Sequence, residues 1–258
     1  MLLKDIVDLT ELKFDMATRR PQTEGVKRKI SEVDKRALEA AIQLKEKGGG
    51  ELIALSMGDE RTKTSMLEAL AMGADSAYIV SDRALVGVDT LATSLVLAAA
   101  VRKLGSFGLI LCGEMTLDSL SSQIGPRLAE LLDLPQVSYV KRLELLNGKL
   151  RAERELEDTD EVVEVALPAL VSVVREVNEP RIPSLMNIMK AKKKPVVEWD
   201  AASLGLSADE VRAASSVEVL KVEAPVVERK HIIIKADTVE EMVDRLAKAI
   251  LAEGILEE

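Results

Sequence analysis

Short apolar runs alternate with amphipathic stretches through the first half of the chain, and their spacing predicts a repeating strand-then-helix order. Ser31 followed by Asp34 has the form of a helix N-cap pair. After it Ala37, Leu38, Ala41, Ile42 and Lys45 recur at helical spacing until Gly48-Gly49-Gly50 stops them. Residues 51–57 (ELIALSM) predict a buried strand punctuated by Gly58. Residues 62–72 predict a second helix closed by Gly73, and residues 77–80 (AYIV) a short strand. A third helix is expected over 89–103 with Asp89 and Thr90 in its first turn, then a strand over 109–112 that ends at Gly113. Residues 114–122 are polar enough for a loop at the carboxyl end of that strand. Helical spacing resumes over 122–132, with Pro126 in the first turn, where its missing N–H costs nothing.

The rhythm then changes. Residues 142–146 and 149–155 flank Asn147-Gly148, the strongest hairpin signal in the chain, and 162–165 and 168–174 predict further strands. A polar segment over 176–200 contains Asn178, Pro180 and Pro183. A short β-like run is expected at 217–223 and a last amphipathic helix at 238–252. The intervening arm, 201–236, is expected to be weakly structured and to wrap a partner, because its apolar residues would otherwise lie exposed. Together these elements predict an α/β fold: a mostly parallel, Rossmann-like sheet with helices on both faces, an added β-hairpin region and an extended C-terminal arm. In such sheets ligands bind beyond the carboxyl ends of the strands, where the strand order reverses.

Composition narrows the chemistry. Of 258 residues 47% are hydrophobic and 31% charged, but only 2% are aromatic, so the core is aliphatic and stacking platforms for single-stranded nucleic acid are not expected. A net charge of −9 argues against duplex binding, which needs clustered positive charge. Cys112 is the only cysteine and sits in an apolar run, which reads as a small buried hydrophobe rather than a nucleophile. His231 is the only histidine, which removes most zinc and Ser/His schemes, and no metal site is expected. The N-terminus carries Lys4, Asp5 and Asp8 and no signal peptide is read there. The longest apolar stretch, 91–101, falls short of the roughly 20 residues of a membrane span, so a cytoplasmic protein without membrane insertion is expected.

Three segments could carry chemistry. Gly113 to Gly125, with Asp118, Ser119, Ser121, Ser122 and Gln123, has the composition of an anion-binding nest. Backbone N–H groups and hydroxyls would hold phosphate there while Gln123 or Asp118 orients it; the same residues would equally serve a solvent-facing loop that caps a helix. Residues 82–94 offer Arg83 as a charged fork, Gly87 for close approach, and Thr90, Thr93 and Ser94 near a helix start, where such groups are usually caps. Residues 178–194 set Leu185, Met186, Ile188 and Met189 beside a lysine run. That is the composition of a docking site with a basic rim, or else of a short helix packing on its own core. The acidic run Glu155, Glu157, Asp158, Asp160 and Glu161 has no apolar surroundings to raise a pKa and reads as a solvated turn.

These stretches closely resemble the β subunit of electron transfer flavoprotein over about residues 4–227. The most specific piece is residues 178–194, NEPRIPSLMNIMKAKKK. Residues 37–46, residues 69–75, Gly113 with Asp118, Gln123, Gly125 and Pro126, and Val222-Glu223-Ala224-Pro225 with Arg229 support it. The resemblance implies a heterodimer with an electron transfer flavoprotein α subunit, which holds the electron-carrying FAD in a domain that swings on this chain as its base. It implies a nucleotide-binding domain over 1–195 and, over 196–258, an arm and helix that pack on the α subunit. The nucleotide site, which holds AMP in simple members, maps by position onto Leu2, Ser31, Asp34, Met57, Gly113, Glu114, Met115, Asp118, Ser119, Ser121, Ser122, Gln123 and Gly125.

In bifurcating members that site holds a second FAD, which accepts hydride from NADH. Gly87, Asp89, Thr90, Ala92, Thr93 and Ser94 are similar to that subgroup, so FAD is expected over AMP, with Arg83, Asp89 and Thr90 nearest the nicotinamide and flavin and Thr93 in the same site. The function so implied is NADH oxidation with bifurcation to high- and low-potential acceptors. The alternatives are a simple AMP-binding β subunit that shuttles electrons from acyl-CoA dehydrogenases, and a non-redox adenine-nucleotide-binding scaffold. The family's recognition loop corresponds to Arg181, Leu185, Met186, Ile188 and Met189, with Leu185 as anchor. Implied partners are an acyl-CoA dehydrogenase or quinone-reducing protein, and a ferredoxin-like low-potential carrier. The chain departs from the family pattern twice. A fuller first strand usually precedes the segment that here starts at Leu2-Leu3-Lys4, so that strand is shortened or the sequence begins late; and Asp118-Ser119-Leu120-Ser121 stands where Asp-Gly-Asp-Thr is common, Leu120 replacing a carboxylate.

Overall fold

The structure is a computed structural model that describes residues 1–226 and 229–254; Val227, where the resemblance ends, lies outside them. The chain divides into two compact units, Met1–Val222 and Glu223–Glu258. The first unit opens with two small antiparallel pairs. β1 (Asp5–Val7) pairs with β4 (Arg28–Ile30), and β2 (Lys13–Phe14) with β3 (Pro21–Gln22). Then follow α1 (Glu32–Gly48), β5 (Ile53–Met57), α2 (Thr62–Met72), β6 (Ser76–Val80), α3 (Thr90–Leu104), β7 (Leu109–Gly113) and α4 (Ile124–Leu131). β8 (Gln136–Leu146), β9 (Lys149–Glu155), β10 (Asp160–Ala166), β11 (Ala169–Val173), α5 (Leu185–Ala191), β12 (Val196–Trp199) and α6 (Ala208–Ala214) complete it.

Two parallel arrays form the sheet. One has the order β12-β6-β5; the other runs β7-β11-β8 in parallel and continues through β8-β9-β10 as antiparallel hairpins. Residues 1–3 lie between them as a wedge. Leu3 N donates to Leu55 O at 2.9 Å and Leu55 N to Met1 O at 2.8 Å on one side, while Leu2 N donates to Leu111 O at 2.9 Å on the other. From this wedge the chain steps outward to β5 and β6, then returns through α3 to β7 on the other flank. The order therefore reverses at the wedge, the place where an open α/β sheet forms its ligand crevice.

Helices cover both faces. On one, Ala37, Leu38 and Ile42 of α1 and Met66 and Leu70 of α2 pack on Ala54, Ile79, Leu111 and Val171. On the other, Ala92, Val96 and Val101 of α3, Leu128 of α4 and Val211 of α6 pack on Leu55, Val80, Ile110 and Leu170. With almost no aromatic bulk, close approach of alanine-rich helix faces does the filling. At the amino ends of β5 and β7, beyond Met1, an apolar cleft of about 460 Å³ opens between Ile53, Leu104, Phe107 and Leu109.

Three stretches differ from the sequence expectation. The polar segment 176–200 contains α5 and β12. β12 adds to the sheet beside β6, and Trp199 lies against Tyr78 with ring centroids 4.7 Å apart. Residues 208–214, expected to be part of a loose arm, form α6, stabilised by a reciprocal Ser207–Glu210 capping box and by burial of Val211. Conversely, the β-like run at 217–223 forms no strand over 217–222. Val217, Val219 and Leu220 are exposed there with no neighbouring strand to reward the alternation. In the second unit α7 (Val239–Ala252) is capped by Thr238 and carries Glu241–Arg245 and Asp244–Lys248 ion pairs at i,i+4. Val239, Met242, Val243, Leu246 and Ile250 are exposed at helical spacing.

Candidate functional site

At the carboxyl end of the wedge the chain turns through Lys4, and α1 starts beside it. Asp34 lies in the first turn of α1, but its carboxylate does not cap the helix. One oxygen accepts from Lys4 N and the other from Gly113 N, each at 2.9 Å, so the side chain stitches the wedge to the end of β7. Burial outweighs these two N–H donors and pushes the Asp34 carboxyl up to about 7. Gly113 is required by this contact, since a Cβ there would stand 2.8 Å from Asp34 Oδ1 and 2.9 Å from Asp34 N. Ser31 precedes α1 as its N-cap residue; its hydroxyl is fully buried and has no hydrogen-bond partner among the described residues.

The loop after Gly113 is fastened at its middle. Lys4 Nζ reaches Asp118 at 2.8 Å, Thr116 Oγ1 donates to Asp118 at 2.7 Å, and Leu120 N donates to Thr116 O at 2.8 Å. Thr116 also bonds Ser119 through their hydroxyls. Leu120 and Ser122 take left-handed backbone angles, φ 49° and 52°. That alternation around Ser121 gathers backbone N–H groups into a concavity. The N–H groups of Ser121, Ser122, Gln123, Ile124 and Gly125 have no partner among the described residues, and they stand at the N-terminus of α4. Gly125 lets α4 close on β7, where a Cβ would meet Cys112 Sγ at 3.3 Å. Cys112 is buried and its thiol pushed up to about 12 by burial and by Asp34, in keeping with a packing role.

The start of α3 adjoins the start of α4, because Thr90 Oγ1 donates to Gln123 Oε1 at 2.6 Å. The structure thus brings the 82–94 and 113–125 segments together. Within the first, Asp89 caps α3 by accepting from Leu91 N and Ala92 N, and it also accepts from Ser216 N at 2.8 Å and Val217 N at 3.1 Å. The N–H of Ala92, opposed by some burial and joined by those of Ser216 and Val217, holds its carboxyl below the usual range. Thr93 Oγ1 bonds Asp89 O, and Arg83 is exposed in a 3-10 turn, Arg83–Leu85. Met57 ends β5, half-buried; Leu2 is buried in the wedge; Met115 and Glu114 continue β7, and burial, then Glu176 and Glu155, raises the Glu114 carboxyl. The sequence gives no sign that Lys4 belongs to the site. Its contact with Asp118 spans 114 positions, and no local spacing signals it.

The available donors suit a phosphate: a run of backbone N–H groups at a helix start, the hydroxyls of Ser121 and Ser122, and Lys4 held alongside by Asp118. A phosphate-bearing ligand fits this set. No aromatic residue belongs to it, as the Tyr78–Trp199 pair is packed elsewhere.

A second surface is α5. Ser184 caps it by accepting from Asn187 N, and Ala191 is buried, whereas Leu185 (82% exposed), Met186, Ile188 and Met189 face solvent. Lys194 is not part of an exposed rim: its Nζ donates to Leu70 O and Ala74 O at the end of α2. Arg181 lies against α1, where its guanidinium meets Glu39 at 2.8 Å and Glu46 at 2.5 Å. Burial works against ionisation of Glu39, yet Arg181 and Gln43 hold its carboxyl below the usual range.

Among the described residues, no helix is long and apolar enough to cross a membrane. A family model described as "Electron transfer flavoprotein domain" matches residues 22–204. The chain is 39% identical to electron transfer flavoprotein subunit beta of Thermoanaerobacterium thermosaccharolyticum, over 95% of this chain and 96% of that one. It is 36% identical to the caffeyl-CoA reductase-Etf complex subunit CarD of Acetobacterium woodii, covering 98% and 97%, and 32% identical to protein FixA of Sinorhizobium fredii, covering 96% and 90%. With a sheet whose strand order reverses at the wedge and with matches over nearly its whole length, the chain belongs to the electron transfer flavoprotein family, as a β-subunit-type member.

Proposed function

We propose that this chain is the β-type base of a two-subunit electron-transfer complex. It binds an adenine nucleotide at the wedge crevice and docks a flavin-dependent dehydrogenase through α5. The observation that carries the nucleotide reading is the run of five N–H groups, Ser121 to Gly125, that have no partner among the described residues, in the loop that Lys4 fastens through Asp118. In this reading the nucleotide is AMP and has a structural role. The residues of the crevice bind its phosphate and exclude water, while an α subunit supplies the flavin that carries electrons. The second unit and its α7 face then serve as the surface packed against that α subunit.

A second reading places FAD in the same crevice, reduced by NADH and feeding high- and low-potential acceptors, a ferredoxin-like carrier among the latter. Two observations favour it: Thr90 joins α3 to the nest through Gln123, which enlarges the site toward Gly87 and Arg83, and the relative CarD belongs to a reductase–Etf complex. One experiment separates the readings. The complex of this chain with its α-type subunit is purified, its nucleotides are released and quantified, and it is titrated anaerobically with NADH. AMP with one flavin per complex and no bleaching by NADH supports the first reading; two flavins and rapid bleaching support the second. One flavin per complex with no second nucleotide of any kind defeats both.

A further inference from the structure

We infer that Arg181 is a positioning residue for the docking helix α5: fixed on α1, it sets where Leu185 stands and does not itself touch the redox partner. This rests on the docking reading of α5.

The argument starts from how little holds α5. It is seven residues long, its one buried side chain is Ala191, and four apolar side chains point outward. The segment that leads into it, 178–184, has no regular secondary structure and contains Pro180 and Pro183. Such a segment needs side-chain fastenings to have one conformation. Among the described residues its fastenings end on α1, and one of them is the Arg36–Glu179 ion pair at 3.1 Å. Arg36 donates to Asn178 O while Asn178 Nδ2 donates to Arg36 O at 3.0 Å. Three positions later in the chain, Arg181 Nε and Nη2 span both oxygens of Glu39 at 2.8 and 3.0 Å, and Nη1 and Nη2 span Glu46 at 2.5 and 3.0 Å. The Arg181 backbone N–H also donates to Glu39.

A planar fork answered on two edges by two carboxylates has one orientation, which a lysine ammonium would not define. The Glu39 side chain is only 4% exposed and belongs to a helix embedded in the core, so the reference point is rigid. A partner that drew Arg181 away would leave that carboxylate buried and unpaired. The resemblance set Arg181 in the recognition loop together with Leu185, Met186, Ile188 and Met189. The geometry instead divides the segment into a root that faces inward and a helix that faces outward.

The test uses the full chain in complex with its α-type subunit, with a flavin-dependent acyl-CoA dehydrogenase as electron donor. A spin label is placed at Lys190→Cys, since buried Cys112 is shielded from labelling. In Arg181→Ala the label should become more mobile, and KM for the dehydrogenase should rise at least about tenfold with kcat unchanged, the scale of losing an interface anchor. Nucleotide content should not change. Unaltered label mobility overturns the inference. Increased mobility with unaltered KM, while Leu185→Ala raises KM, also overturns it. If neither variant changes KM, the docking reading fails and takes the inference with it, a result told apart by the Leu185→Ala arm. Should Arg181→Ala not fold, Glu46→Gln, which removes only the exposed half of the fork's partners, carries the same readouts with smaller steps. A folded Glu46→Gln complex with no change in either readout overturns the proposal.

Discussion

Asp34 shows how one side chain can serve the sheet and the site together. It holds Lys4 and Gly113 in place by accepting their N–H groups, yet burial raises its carboxyl to about 7, so the native state binds a proton that the unfolded chain releases near pH 4. Native protein then carries more protons than unfolded protein between these values, and stability falls as pH rises through that window, by an amount on the order of a few kcal/mol. Asp34→Asn should flatten the slope of unfolding free energy between pH 4 and pH 7 while losing about 1–3 kcal/mol throughout, because one N–H donor is left without an acceptor. Denaturant titrations across that range check it; a slope equal to that of the unaltered chain defeats the assignment. Asp89 is a second case, where one carboxylate caps α3 and receives Ser216 and Val217. Asp89→Ala should cost about 1–2 kcal/mol as a lost cap and speed amide hydrogen exchange at Ser216 and Val217 relative to the α3 interior. Neither role was visible in sequence, where Ser31–Asp34 and Asp89–Thr90 read as ordinary helix starts. The positions were right, but the partners lie from 30 to 128 residues away.

At the scale of elements, local punctuation was legible and long-range pairing was not. Gly48-Gly49-Gly50 ends α1, Asn147-Gly148 joins β8 to β9, and Pro126 stands in the first turn of α4, each where backbone chemistry demands it. β12 escaped notice because four residues after a lysine run become a strand only when β6 offers an edge. The run at 217–223 misled for the opposite reason, as alternation without a neighbour has nothing to bond. For α5 the apolar face was legible and the inward turn of Lys194 and Arg181 was not, since charge alone does not tell which lysine or arginine finds a buried carbonyl or carboxylate. Burying Leu185 in a partner pocket is worth about 1.5–3 kcal/mol, so Leu185→Ala should raise KM for the docked dehydrogenase by roughly ten- to a hundredfold. Nucleotide content and melting temperature should stay as they are. Steady-state transfer at subsaturating dehydrogenase measures this, and an unmoved KM removes α5 as the docking element.

On the scale of the whole molecule, the strand-then-helix alternation of the first half, the helices on both faces and the reversal of strand order are present. What assembles them is the smallest piece of the sheet. Residues 1–3 are the shared neighbour of β5 and β7, and the nest, Asp34 and Lys4 are all placed relative to them. A three-residue splint that joins two arrays makes their melting a single event. Leu2→Pro, which deletes the N–H given to Leu111 O, should lower the melting temperature and expose β5 and β7 amides to hydrogen exchange together; exchange that speeds in only one of the two strands would show that each array stands without the splint.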